Sequence, residues 1–370
     1  MGKQILIIRL SSIGDVVHCT PVAASIKTAW PDAKVTWLVS EVSADVIRFN
    51  PDIDEIWIWS RERFEGYLRR REWKKAAQMW RSLGAQLSTR RFDAVLDIHG
   101  LLLTGLIARR VKTPRRIGLQ GARELNPLFM TETAAPTGTK IVDRYLGVLK
   151  PLGIVPAVRR MRMVVPEEAA LWAEGYLREA GPLDHDRLAV LVVGTTWPSK
   201  NWPPGFFATT ARMLARDFTV VLCGGKSEAD AAARIAAASG VPVVNAVGET
   251  SLLEMSALLN RAAVVITGDT GPLHIAAALG VPTVALFGPT DPALFNPEGR
   301  QHAFLVKRQA CSHCHKQRCR AGKIDCMSSI EPAAVVRTAY AVSRGRTLPP
   351  ADEKYPPRRP VVTRIQGEPD

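Results

Sequence analysis

A chain of 370 residues with 46% apolar content is longer than one hydrophobic core usually organises, so two domains of roughly 150 to 180 residues are expected. No uncharged stretch approaches the roughly 18 residues of a membrane span, and the apolar run before Arg9 is too short for a leader, so no transmembrane helix or signal peptide is expected and the cytosol is the default compartment. The net charge of +14 is concentrated: Arg61 to Arg91 holds ten Lys/Arg against three Glu, and Lys307 to Lys323 adds six with no acid, which points to an acidic partner such as nucleic acid, an anionic membrane or a phosphorylated substrate.

The first strand, "QILIIRL", runs into "RLSSIGDVVHCTPVA". A phosphate loop is the usual occupant of that position, yet the stretch has one glycine, Gly14, followed by Asp15. A carboxylate at a helix amino terminus repels phosphate, but it suits removal of a proton from a hydroxyl. Thr20-Pro21 reads as the N-cap and first residue of a helix; alternatively the helix starts at Asp15, with Asp15 as its cap. "KVTWLVS", "DEIWIW" and "FDAVLDI" are further strands. Between the last two, Leu68, Trp73, Ala76, Trp80, Leu83 and Leu87 recur at helical spacing among arginines and lysines, a basic amphipathic helix suited to a membrane surface or equally to an ordinary core-packed helix with a basic exterior.

Three prolines and a basic run in Leu149 to Ala169 mark a boundary, placed at 160/161. The second half repeats the alternation with "RLAVLVVG", "FTVVLCGG", "AAVVITG" and "VPTVALFG". Near-continuous apolar strands joined by helices mean parallel sheets covered on both faces, hence an α/β fold of two Rossmann-like, doubly wound domains, 1–160 and 161–343. Ligands of such sheets bind beyond the carboxyl ends of the strands. There, Thr195 and Thr196 offer hydroxyls, and Lys200, between Trp197 and Trp202, suits a leaving phosphate, or is a plain surface lysine. Glu228 follows Gly224-Gly225 where an acid can take ribose hydroxyls or simply favour the helix dipole. Gly268-Asp269-Thr270-Gly271, Pro272 and His274 open a helix with small residues that let backbone amides approach an anion, and Gly288-Pro289-Thr290 should sit beside them. Neither G-x-G-x-x-G nor G-x-x-x-x-G-K-[ST] occurs, which argues against a nicotinamide dehydrogenase and a P-loop kinase. Asp52/Asp54 and Asp184/Asp186 form Asp-x-Asp pairs in polar turns, a weak pattern for Mg²⁺.

Cys311, Cys314, Cys319 and Cys326 cluster with His313 and His315; in a cytosolic chain the spacing favours a structural Zn²⁺ over reduced thiols or disulfides, and all three states stay open. From 344 to 370 the chain is Pro- and charge-rich and is expected to be disordered.

Taken in order, "ILIIRLSSIGDVVHCTPVAASIK", "TTWPSKNWP" and "GDTGPLHIAAALGVPTVALFGPTDP" resemble glycosyltransferase family 9, the ADP-heptose:lipopolysaccharide heptosyltransferases, over most of residues 1 to 340. The resemblance implies a GT-B architecture, two Rossmann-like domains facing across a cleft, with the acceptor on the first and the nucleotide-sugar on the second. It places the family's catalytic base on Asp15 and its leaving-group lysine on Lys200. Donor contacts fall on Thr195, Thr196, Glu228, Asp269, Thr270, Gly271 and His274. The implied reaction is an inverting displacement that needs no metal cofactor, with ADP-heptose as donor and a Kdo or heptose hydroxyl of the lipopolysaccharide inner core as acceptor. The family's anionic, lipid-linked acceptor lies at the inner face of the inner membrane, which gives Arg61, Arg63, Arg69, Arg70, Arg71, Lys74 and Lys75 an acceptor- or membrane-binding role and the protein a cytoplasmic, peripheral location. The alternatives are a GT-B enzyme with another nucleotide-sugar or acceptor, such as a capsule glycosyltransferase or a nucleotide-sugar epimerase, and a nucleic-acid-binding protein suggested by the pI of 9.8; the ordered motifs disfavour nucleic acid as a partner.

Overall fold

A computed structural model describes residues 2–181, 185–320, 322, 325–344 and 359–365. The chain divides into two units, residues 1–164 with 356–370, and residues 165–355.

The first unit is built on a seven-stranded, wholly parallel sheet in the order β13-β3-β2-β1-β4-β5-β6. Its strands are β1 (Gln4–Ile8), β2 (Lys34–Val39), β3 (Glu55–Ile58), β4 (Ala94–Asp97), β5 (Arg116–Leu119), β6 (Glu132–Ala134) and β13 (Val361–Arg364). Helices α1 (Ile13–Ala29), α2 (Glu41–Ala44), α3 (Arg61–Arg69), α4 (Trp73–Ser88), α5 (Leu102–Arg110) and α6 (Ile141–Leu146) connect them. The central strands are apolar because both faces are covered: Leu6, Ile8, Leu38, Trp57 and Val95 pack with Leu83 and Leu87 of α4.

Three features differ from expectation. First, α1 begins at Ile13, so Asp15 lies in its first turn, behind Ser12, and Pro21 sits inside the helix. Proline removes the N–H that would bond the carbonyl of residue 17, and the Thr20 hydroxyl donates to that carbonyl instead at 2.7 Å. Second, the basic segment is two helices, broken where Arg71 takes φ 59°. Third, Val361–Arg364 of the tail, expected to be disordered, pair in register with β3. Valines on an open sheet edge outweigh the surrounding prolines there, since the edge offers unpaired amides and carbonyls.

The second unit has a six-stranded parallel sheet, β12-β11-β10-β7-β8-β9. Its strands are β7 (Leu188–Val192), β8 (Thr219–Cys223), β9 (Val244–Asn245), β10 (Ala262–Gly268), β11 (Thr283–Phe287) and β12 (His302–Val306). Helices α7 (Glu167–Glu179), α8 (Pro204–Leu214), α9 (Ala229–Ser239), α10 (Leu252–Arg261), α11 (Gly271–Ala278), α12 (Pro292–Phe295), α13 (Asp325–Ser328) and α14 (Pro332–Ser343) complete it. One core joins Leu191, Leu222, Ile266 and Leu286 to Phe207 and Leu214 of α8 and Val335 of α14. The loops after β7, β8, β10 and β11 therefore share one edge of one sheet, which is where the chemistry-bearing residues fall.

Candidate active site

In the first unit, the parallel pairing of β1 with β4 brings the loop after Ile8 beside the loop after Asp97. Asp15 is half-buried there and fully engaged. Arg9 Nη2 lies 2.6 Å from its Oδ2, Ser12 Oγ donates to Oδ2 at 2.9 Å, and Tyr145 Oη, from α6, donates to Oδ1 at 2.8 Å. Burial works to raise the Asp15 pKa, but the Arg9 charge, then His18, then the Tyr145 and Ser12 hydrogen bonds outweigh it and hold the carboxyl well below the usual carboxylate range. Arg9 is itself buried, donates to the Ile98 carbonyl at 2.8 Å and lies 5.2 Å from the Tyr145 ring centroid. The Leu10 amide donates to His99 Nδ1 at 3.2 Å, and Arg61 Nη1 is 3.0 Å from His99 Nε2. Burial, followed by the Arg9 and Arg61 charges, pushes His99 down to about 3, so the imidazole is neutral. Behind it, buried Asp97 accepts the His99 and Gly100 amides at 3.1 Å and the Asn126 amide at 2.7 Å. The result is a carboxylate that stays ionised at any working pH, fixed by an arginine and a tyrosine.

In the second unit, Lys200 Nζ donates to Asp269 Oδ2 at 2.7 Å and to the Asp269 carbonyl at 3.0 Å, and it stands 4.5 Å from the Trp197 ring centroid. Thr290 Oγ1 donates to the same Oδ2 at 2.7 Å, and His274 Nε2 lies 3.6 Å from Oδ1. Burial opposes ionisation of Asp269, but the His274 hydrogen bond and the Lys200 charge hold its pKa well below the usual range. A Cβ at Gly268 would come 3.2 Å from Thr195 Cγ2, so glycine lets the two loops approach closely. Thr195 Oγ1 donates to the Trp197 carbonyl at 2.6 Å, shaping the turn that carries Lys200, while Thr196 is exposed. Glu228 lies over Gly194, where an added Cβ would meet its Cγ at 2.3 Å, and its Oε2 accepts the Gly225 amide at 2.9 Å. Thr270 is the N-cap of α11, with Gly271 and Pro272 in the first turn. Lys200, Thr195, Glu228, Asp269, Thr270, Gly271 and His274 thus line one sheet edge around a lysine, a helix amino terminus and open glycine backbone, which suits a phosphorylated ligand.

The basic segment is only partly drawn into a site. Arg61 reaches His99 and Glu65, and Arg63 is 3.8 Å from Glu41. Arg70 and Lys75 pair with Glu72, whereas Arg69, Arg71 and Lys74 are exposed. The apolar face of α4 is spent on the core through Ala76, Met79, Leu83 and Leu87. Asp54 is held by Lys27 and Lys34, Asp52 by Arg162, and Asp184 lies outside the described residues. Cys311, Cys314, Cys319 and Cys326 form no disulfide, and among the described residues no group of three or more His, Cys, Asp or Glu side chains is arranged to hold a metal. Burial and the neighbouring cysteines raise the Cys326 thiol. The cysteine loop instead braces the Lys200 turn: Ser199 Oγ donates to the Lys316 carbonyl at 2.6 Å and the Ser199 amide to the Gln317 carbonyl at 3.1 Å.

Sequence reading missed Tyr145, His99 and the partnership of Arg9 with Asp15; Tyr145 is 130 residues from Asp15, and no local pattern signals that contact.

The sequence profile of glycosyltransferase family 9 (heptosyltransferase) matches residues 80–325, more than half of the chain. Lipopolysaccharide heptosyltransferase 1 of Pseudomonas aeruginosa is 29% identical over 330 residues, covering 85% of this chain and 87% of that protein. Among solved structures, a family 9 glycosyl transferase from Veillonella parvula superimposes with TM-score 0.80 at 25% identity over 92% of this chain and 97% of its own. The E. coli heptosyltransferase WaaC with ADP gives 0.71 at 24% identity over 92% and 99%, a likeness of fold.

Proposed function

The chain belongs to glycosyltransferase family 9, and from that premise we propose that it transfers heptose from ADP-heptose to a hydroxyl of the lipopolysaccharide inner core, with inversion at the anomeric carbon. The observation that carries the reading is the convergence of Lys200, Asp269, Thr290 and His274 at the strand ends that also present Thr195 and Glu228. The diphosphate of the donor takes Lys200 and the amides at the start of α11, the ribose takes Glu228, and Thr195 and Thr196 flank the leaving group. Asp15 receives the proton of the acceptor hydroxyl. Its low pKa fits this role: a hydroxyl oxygen bonding to an oxocarbenium-like carbon becomes strongly acidic, so a weak but permanently ionised base suffices once that bond is forming. The new bond is acceptor oxygen to anomeric carbon, the broken bond is anomeric carbon to ADP, and Lys200 offsets the diphosphate charge, which makes the reaction independent of added metal.

The acceptor is lipid-linked, so the protein works peripherally at the inner face of the inner membrane, with Arg61, Arg63, Arg69, Arg70, Arg71, Lys74 and Lys75 supplying charge toward acceptor phosphate and anionic lipid. The test is incubation with ADP-heptose and a series of truncated lipopolysaccharides, following ADP release in the presence of a chelator. Release that depends on one acceptor supports the reading, and UDP- and GDP-sugars run in parallel check the donor.

A further inference from the structure

We propose that the face formed by α5 and the adjoining 3-10 turn Asn126–Phe129 is the surface by which the protein seats on an anionic lipid bilayer. Four leucines are exposed on it: Leu102 (39%) and Leu106 (38%), one turn apart on α5, Leu125 (67%) and Leu128 (76%). The two elements adjoin closely. Gly105 has no Cβ where one would meet Phe129 at 2.8 Å, Asn126 Nδ2 donates to the Leu101 carbonyl at 2.8 Å, and the Leu102 amide donates to Glu124 at 3.3 Å. Leu125 also takes φ 62°, a left-handed conformation in which glycine or asparagine serves a turn better than an exposed leucine. Neither the core nor the turn asks for a leucine there. The patch is held stiffly, because Asn126 is buried and bonded to buried Asp97.

Charge selects the occupant. Residues 101–130 contain six Lys/Arg (109, 110, 112, 115, 116 and 123) and one acid, Glu124, a net of +5. The Arg110 guanidinium lies 5.1 Å from the Trp80 ring centroid, which joins this face to the basic α3–α4 segment. A second copy docked isologously would set two faces of the same sign against each other, whereas an anionic bilayer meets apolar side chains and a basic rim together. The α3–α4 segment adds charge and two exposed apolar side chains, Leu68 (37%) and Trp73 (61%), while the rest of the apolar side of α4 is buried. The inference rests on the membrane partner proposed above and names the surface that meets it; it does not depend on which sugar is transferred.

The experiment is cosedimentation of the full chain with vesicles of phosphatidylethanolamine and phosphatidylglycerol, and with vesicles of phosphatidylcholine alone. Wild type should bind the anionic vesicles, more weakly as salt rises. Leu125→Asp/Leu128→Asp, whose positions are exposed and whose thermal melt should match wild type, should lose roughly tenfold or more of that binding. Arg109→Glu/Arg123→Glu should lose it in proportion to the anionic lipid. Turnover on a deacylated, water-soluble acceptor, measured on the same variants, should not change. Unaltered vesicle binding by the leucine variants overturns the surface assigned here, and so does a leucine-dependent dimer in sedimentation velocity with vesicle binding intact. No binding by wild type to either vesicle overturns the membrane partner as well, while the soluble-acceptor assay still reports on the transferase reading.

Discussion

Half-buried Asp15 and buried Asp269 are both carboxylates with depressed pKa values, but their partners differ. Asp15 is gripped by Arg9, Ser12 and Tyr145. A carboxyl whose folded pKa is depressed adds stability above its unfolded value, near 4, and loses it as pH falls toward the folded value. Tyr145→Phe removes one charge-assisted hydrogen bond, worth about 1.5–3 kcal/mol. The folded pKa then rises by about one to two pH units, so acid loss of activity should begin that much higher than in wild type, whereas acid loss of stability still begins near the unfolded value and should be smaller in total. A pH series of turnover and of thermal melts reads both, and coincidence with wild type would remove Tyr145 from the site. Lys200 and Asp269 form a pair only 13% and 6% exposed. Lys200→Met should cut turnover on the order of a hundredfold and also destabilise, because Asp269 keeps only Thr290 and His274. Lys200→Met/Asp269→Asn should recover the melting temperature but not the turnover, which separates the fold's need for the pair from the reaction's need for the cation.

The eight apolar runs visible in the sequence are β1, β2, β3, β4, β7, β8, β10 and β11, all of them flanked by a strand on each side. Burial on both faces is what writes a continuous apolar run, so these strands were legible. Of the five missed strands, β6, β9, β12 and β13 lie at a sheet edge, where one neighbour suffices, and β5 lies beside one. Helix starts were less legible: Thr20-Pro21 has the composition of a helix opening, yet the Thr20 hydroxyl satisfies the carbonyl that Pro21 orphans, and α1 runs through it. The candidate residues on strand ends were legible because small residues, a lysine and an acid stand out there; Tyr145, on a helix far along the chain, has no such mark. β13 gives a prediction at this level. Ending the chain before residue 359 removes the Val361–Asp54 and Ile365–Ile58 hydrogen bonds and Ile365 from the core margin. It reopens the β3 edge and should lower the melting temperature by several degrees, on the basis of about 2–4 °C per kcal/mol, and raise aggregation. An unchanged melt would make β13 dispensable.

The two units divide chemistry by charge and by what their first loops can hold. The first unit carries an ionised carboxylate where a phosphate loop is usual, together with the basic α3–α5 surface; the second carries a half-buried lysine, open glycines and a helix amino terminus at one sheet edge. Phosphate is disfavoured at the first and favoured at the second. No helix among the described residues is long and apolar enough to cross a membrane. The measurement that bears on the central proposal most directly is ADP release from ADP-heptose by wild type and by Asp15→Asn, with ADP affinity taken on both. Wild type should release ADP only with a lipopolysaccharide core acceptor, and Asp15→Asn should be slower by on the order of a hundredfold or more while binding ADP equally well. An absence of release with every acceptor, or an Asp15→Asn variant that keeps half of the wild-type rate, would contradict it.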